Sequence, residues 1–109
     1  MKYLKLAIAS LCFAASCSTI AQPATWPTRP ITLVAPLAGG SPTDALARMI
    51  ADELAIELGQ PIIISNKPGG GSLIATQFVQ HAQPDGQTFL FAVSSHTINP
   101  SVRKNLKYD

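Results

Sequence analysis

The chain has 109 residues, 47% of them hydrophobic and 13% charged, which is room for one small domain and no more. Its net charge of +2 comes from the first few residues, so the sequence pI near 8.7 does not signal a nucleic-acid partner, which would require a basic patch on the folded domain.

Lys2 and Lys5 form a positive n-region, Leu6 to Ser16 an apolar h-region, and Thr19-Ile20-Ala21 offers small residues where a signal peptidase reads. The apolar run is too short to span a bilayer comfortably. This order predicts a signal peptide over residues 1–21 and export to the periplasm as a mature chain from Gln22 to Asp109. A rival signal overlaps it: Phe13-Ala14-Ala15-Ser16-Cys17 loosely resembles a lipoprotein signal lipidated at Cys17, with Ala14 where Leu is usual. Cleavage after Ala21 removes both cysteines, Cys12 and Cys17, and with them any thiol or disulfide chemistry. It leaves six basic residues against six acidic ones, a net charge of zero.

Gln22 to Pro30 carries Pro23, Pro27 and Pro30 and is expected to run extended. Trp26 within it reads as an apolar lid on the sheet edge, with ligand stacking as the lesser role. Ile31-Thr32-Leu33-Val34-Ala35 is nearly continuous in apolar residues, as in a parallel strand buried on both faces. Pro36 to Asp44 then forms a glycine-bearing turn. Ser41 suits an N-cap, Pro42 the first helical position, and Ser41-x-x-Asp44 approximates a capping box with Asp for Glu.

The helix predicted from Pro42 to Leu58 repeats Leu46, Ile50, Leu54 and Leu58, widened by Ala47, Met49, Ala51 and Ala55. Asp44, Arg48 and Asp52 are spaced for i,i+4 pairs on the solvated side of the helix, so Arg48 reads as a surface ion-pair partner before an anion clamp. Gly59 and Pro61 stop this helix. Pro61 to Asn66 is the second strand, rich in β-branched residues. Lys67-Pro68-Gly69-Gly70-Gly71-Ser72 turns into a helix from Ser72 to Ala82, with Ile74, Phe78 and Ala82, joined by Ala75 and Val79, as its apolar face. Gln83-Pro84-Asp85-Gly86 is a turn, Thr88 to Val93 the third strand, and Ser94 to Pro100 another polar loop.

The order β-α-β-α-β with helix-length crossovers predicts an α/β fold with a parallel sheet, and it brings three polar loops to the carboxyl edge. Gly39, Gly40, Ser41, Gly70, Gly71, Ser94, Ser95 and His96 would line one crevice there. Free N–H groups and the positive end of a helix dipole suit a carboxylate or phosphate.

Catalytic patterns fail in turn. Gly69-x-Gly71 follows a strand and opens a helix, but the third glycine of a dinucleotide fingerprint falls on Ile74, and the nearest acid, Asp85, lies in a turn. No P-loop, nucleophile elbow or H-E-x-x-H motif is present. His81 and His96 have no Cys or second His at ligand spacing, so neither a metal nor a cofactor is expected. His81 reads as a helix-end residue. His96 beside Ser94 and Ser95 lacks an orienting acid and reads as a polar ligand contact or a plain loop residue. No residue is assigned to catalysis.

At this point the residues resemble a known family. Trp26-Pro27-x-Arg29-Pro30-Ile31-Thr32-Leu33-Val34-x-Pro36 is similar to the start of mature Bug-type receptors, the substrate-binding components of tripartite tricarboxylate transporters. The likeness continues through Gly39-Gly40-Ser41-Pro42-Thr43-Asp44, Leu58-Gly59-Gln60-Pro61, Asn66-Lys67-Pro68-Gly69-x-Gly71, Pro84-Asp85-Gly86-x-Thr88 and His96-Thr97-Ile98-Asn99-Pro100, and closes on Tyr108-Asp109. Ser41 where a second glycine is common, Lys107 in place of Pro and Arg103 in place of an aromatic or Leu depart from the pattern.

The resemblance implies a two-domain periplasmic binding protein for small carboxylates. In that family loop backbone groups and ordered water hold the ligand, and a membrane permease of one large and one small subunit receives it. Carried over, the binding residues are Ala38, Gly39, Gly40, Ser41, Thr43 and Asp44 in the first turn, with Gly70 and Gly71, and Ser94, Ser95, His96 and Thr97. Family members are several times longer, so residues 22–109 are expected to form a truncated first lobe, with ligand capture by the fragment alone in question. Two rivals from other classes are a nucleotide-binding α/β enzyme fragment and a small exported module that binds protein through its open sheet edge.

Overall fold

The computed structural model describes residues 25–106 and residue 108. The expected signal peptide and Cys17 lie outside the described residues. Among those described, no helix is long and apolar enough to cross a membrane.

The elements run β1 (Ile31–Ala35), α1 (Pro42–Leu58), β2 (Ile62–Asn66), α2 (Leu73–Gln80), β3 (Thr88–Leu90) and α3 (Ser94–Val102). The strands form one parallel sheet in the order β2-β1-β3. The central position of β1 accounts for its apolar run, and Val34 and Ala35 are wholly buried. Ile31 pairs with Ile62, and Leu33 with Ile64 on one side and Phe89 on the other.

The path steps from β1 to β2 and then back across β1 to β3. Right-handed crossovers therefore put α1 and α2 on opposite faces of the sheet. α1 packs on β1 and β2, and α2 on β1 and β3. Each helix leaves one strand partly bare. Phe89 of β3 is 42% exposed on the face shared with Leu33, and Ile63 of β2 is 55% exposed on the other.

β1 and α1 have the bounds expected from their sequence. Gly59 ends α1 in the left-handed conformation at φ 64°. Three expectations need correction. The buried row of α1 is Asp44, Ala47 and Ala51, whereas Leu46, Ile50 and Leu54 are all exposed to 39% or more. α2 likewise buries Ala75 and Thr76 and leaves Ile74 and Phe78 out. The physical reason is distance: small side chains let a helix settle closely on the sheet, and the long apolar residues flank the seam.

Second, the third strand stops at Leu90. Phe91 N–H still donates to the Val34 carbonyl at 2.8 Å before the chain leaves the sheet. Third, the segment from Ser94 to Pro100 is not a loop but most of α3. Pro100 sits inside it and has no N–H for the carbonyl four residues back, that of His96. The Tyr108 hydroxyl donates to that carbonyl at 3.2 Å, supplying the missing hydrogen bond from outside the helix.

The proline-rich leader is tied to the turn entering β3. Arg29 forms an ion pair with Asp85, and Trp26 Nε1 donates to the Gly86 carbonyl at 3.1 Å. The Trp26 ring meets Phe89 edge-on at 6.4 Å between centroids, the lid role expected from sequence.

Candidate functional site

Two hydrogen-bonded clusters stand on the carboxyl edge of the sheet. The first is built around Asp44. Ser41 Oγ accepts from Asp44 N–H at 3.1 Å, the N-cap bond expected from the sequence. The reciprocal bond of the capping box is displaced by one residue: the Asp44 carboxylate accepts from Gly40 N–H at 2.9 Å, because Ser41 N–H turns to the Ala38 carbonyl. Arg48 donates to both carboxylate oxygens, from Nε at 2.9 Å and Nη2 at 3.3 Å. Asn66, at the end of β2, donates from Nδ2 to Asp44 Oδ1 at 2.7 Å and to the Leu37 carbonyl at 3.1 Å.

These donors hold the Asp44 carboxyl down at about 2, below its usual 3.8, with the Asn66 bond the largest cause, then the Gly40 amide and Arg48. Asp44 is 2% exposed, so its charge is held within the protein by a ring of donors. The chain's own carboxylate thus occupies the place at the α1 N-terminus that suits an anion. Among the described residues, the N–H groups of Ala38, Gly39 and Thr43 have no acceptor in the protein. Ala38 and Gly39 are also exposed.

The second cluster joins the amino end of α2 to α3. Gly70, Gly71 and Ser72 take left-handed φ values of 61°, 63° and 76° in succession. Ser72 is a costly residue for that conformation, and its buried hydroxyl is hydrogen-bonded to that of Ser95. His96 Nδ1 lies 3.0 Å from Thr76 Oγ1, and its ring stacks on Tyr108 at 5.1 Å. Buried Asn99 donates to the Gly71 carbonyl at 2.7 Å, and the Arg103 guanidinium lies beside Gly71. Ser94 and Thr97 are exposed on α3, free of these bonds among the described residues.

The sequence-predicted residues therefore fall into two groups: Ala38, Gly39, Gly40, Ser41, Thr43 and Asp44 with β1 and α1, and Gly70, Gly71, Ser94, Ser95, His96 and Thr97 with α2 and α3. β1 and β3 are neighbours from which the chain continues on opposite sides, so the loops leaving them flank a topological switch point, where open α/β sheets receive ligands. Asn66, Thr76 and Arg103 were not singled out as site residues. A signal for Asn66 exists, since asparagine is depleted in strands and here ends one. His81 hydrogen-bonds the Gln77 carbonyl at the end of α2, in keeping with its expected helix-end role. Ile74 packs its Cδ1 over Gly69, filling the space a dinucleotide turn keeps clear. Among the described residues, no cluster of three metal-binding side chains occurs.

Comparison with known proteins agrees with this frame. Residues 46–109 match the tripartite tricarboxylate transporter family receptor model. A UPF0065 protein of Bordetella bronchiseptica is 42% identical over 90 residues, covering 82% of this chain and 27% of the relative. The solved periplasmic binding protein BugD superposes with a TM-score of 0.73 at 39% identity, over 77% of this chain and 28% of its own. MatC from Rhodopseudomonas palustris, solved with bound malate, gives a TM-score of 0.70 at 42% identity, over 76% of this chain and 29% of its own. The chain spans about a quarter of the length of the proteins it matches. With more than half of its length on the family model, the chain belongs to the tripartite tricarboxylate transporter receptor family.

Proposed function

We propose that this chain is the ligand-capturing part of an exported solute receptor, which binds a small carboxylate reversibly and presents it to a membrane permease with one large and one small subunit. The observation that carries this reading is the shared fold with malate-bound MatC at 42% identity, combined with acceptor-less N–H groups at Ala38, Gly39 and Thr43 beside a helix N-terminus. Binding uses the backbone N–H donors of the turn before α1, with the α3 residues Ser94 and Thr97 as further polar contacts. No bond is made or broken in the ligand, so the protein is not an enzyme. Residues 1–21 act as the signal peptide, and residues 22–109 form part of the first lobe of a two-lobed receptor in the periplasm.

The test is a thermal melt of the full chain with malate, citrate and adipate, run beside ATP and NAD. A rise in midpoint with a carboxylate and none with a nucleotide is expected. Stabilisation by nucleotides alone overturns the reading in favour of the nucleotide-binding rival. Stabilisation by none of them favours the protein-binding module.

A further inference from the structure

The structure assigns Asn66 as the positioning residue of the carboxylate-capturing turn, an inference that rests on the receptor reading above. Every hydrogen-bonding group of its amide is used. Nδ2 donates to the Leu37 carbonyl at 3.1 Å and to Asp44 Oδ1 at 2.7 Å, while Oδ1 accepts from Arg48 Nη2 at 3.2 Å. Leu37 begins the turn, and Asp44 lies in the first turn of α1. Asn66 therefore clamps the two ends of the segment that carries the Ala38 and Gly39 N–H groups.

Its own position is set by a rigid element, since it is the last residue of β2 and pairs in register with Ala35 of the central strand. The site where a Gly39 side chain would begin lies 3.6 Å from Asn66 Oδ1, so the turn rests directly on this amide. Of the natural side chains short enough to fit, only an amide offers two donors and an acceptor in one plane. Aspartate would set a second carboxylate against Asp44 and the Leu37 carbonyl with no proton between them.

The electrostatic consequence concerns the ligand. A carboxylate approaching the Ala38 and Gly39 N–H groups comes close to the Asp44 charge, and like charges repel. Asn66 and Arg48 draw that charge inward and balance it. Loss of Asn66 weakens capture twice: the turn loses its anchor, and the Asp44 charge loses its nearest donor.

The experiment uses the full chain with malate as the probe, measuring affinity by calorimetry and hydrogen exchange of the hydrogen-bonded Gly40 and Ser41 amides of the turn without ligand. Asn66→Ala is expected to weaken malate about tenfold or more, the scale set by one or two lost hydrogen bonds, and to speed exchange at Gly40 and Ser41. Asn66→Ser keeps one donor, is the milder variant should Asn66→Ala fail to fold, and is expected to fall between. Ala51→Gly, buried in α1 away from the turn, controls for stability and should leave affinity within about twofold at a comparable fall in thermal midpoint. Equal losses in Asn66 variants and in Ala51→Gly, or unchanged affinity and exchange in the Asn66 variants, overturn the positioning role while leaving the receptor reading intact. Absence of binding of malate, citrate and adipate alike by the parent chain, with Gly40 and Ser41 exchange still dependent on Asn66, instead removes the receptor reading and with it the role in capture.

Discussion

The two clusters on the carboxyl edge are built from opposite materials. Around Asp44 the bonds to the carboxylate are ionic or charge-assisted, and the cap and ion pair span only three to four residues of chain. Around Ser72 and His96 they are hydroxyl, imidazole and amide bonds, each spanning at least 12 residues. In the first cluster Asn66 is, among the described residues, the one partner distant in the chain. The second exists only once α2 and α3 are docked. A charged local cap and a long-range set of hydroxyl, imidazole and amide bonds should respond differently to acid and to mutation.

The largest effect should come from Asp44→Ala, which leaves the Gly40 amide, Arg48 and Asn66 without their common acceptor. It should lower the thermal midpoint more than any other single change in either cluster. Acid tests the same point without mutation. Because the folded carboxyl titrates at about 2 instead of 3.8, its contribution is present above pH 3.8 and is lost as the pH falls toward 2. Midpoints of the parent should fall through that window by a step missing from Asp44→Asn, measured by circular dichroism in low salt. Among the described residues the second cluster has no carboxylate partner, and changes there should leave this step in place.

Next in size is Gly71→Ala. The added carbon would meet the far end of Arg103 at 3.4 Å and Asn99 Oδ1 at 3.9 Å, so space is not the obstacle. The left-handed φ of 63° is, and it should cost about 1–2 kcal/mol in denaturant melts. A smaller loss, about 1 kcal/mol, is expected for Tyr108→Phe, which leaves the His96 carbonyl without its donor. Pro100→Ala restores an N–H to the same carbonyl, so Tyr108→Phe should become almost silent in that background. Additive losses in this double-mutant cycle would show that the hydroxyl does not replace the bond removed by proline.

Much of this molecule was legible residue by residue. The apolar run of β1, the Ser41 cap, Pro42 at the helix start and Gly59 at its end are local features, governed by sterics and by nearest hydrogen bonds, and they set β1 and α1 to the residue. Spacing alone indicates the pairing of Arg48 with Asp44, but on the solvated side and with Asp52 as a second partner; the structure buries Asp44 and, among the described residues, shows no Arg48–Asp52 pair. Other features depend on partners distant in the chain. Periodicity marked a broad apolar stripe on α1 but not which edge of it meets the sheet; the close seat made by Ala47 and Ala51 settles that. A polar segment with Pro100 reads as a loop until Ser72, Thr76, Gly71 and Tyr108 supply the bonds that hold it helical.

The same division holds for the crevice. By itself the sequence determined a parallel α/β unit, its glycine turns and its family resemblance, because each is written in short stretches of backbone preference and spacing. Only the tertiary structure decided the strand order β2-β1-β3, which sets β1 beside β3 at the switch point. It also decided that Asp44 turns inward instead of toward the crevice, since the amide that holds it there sits 22 residues away at the end of another strand.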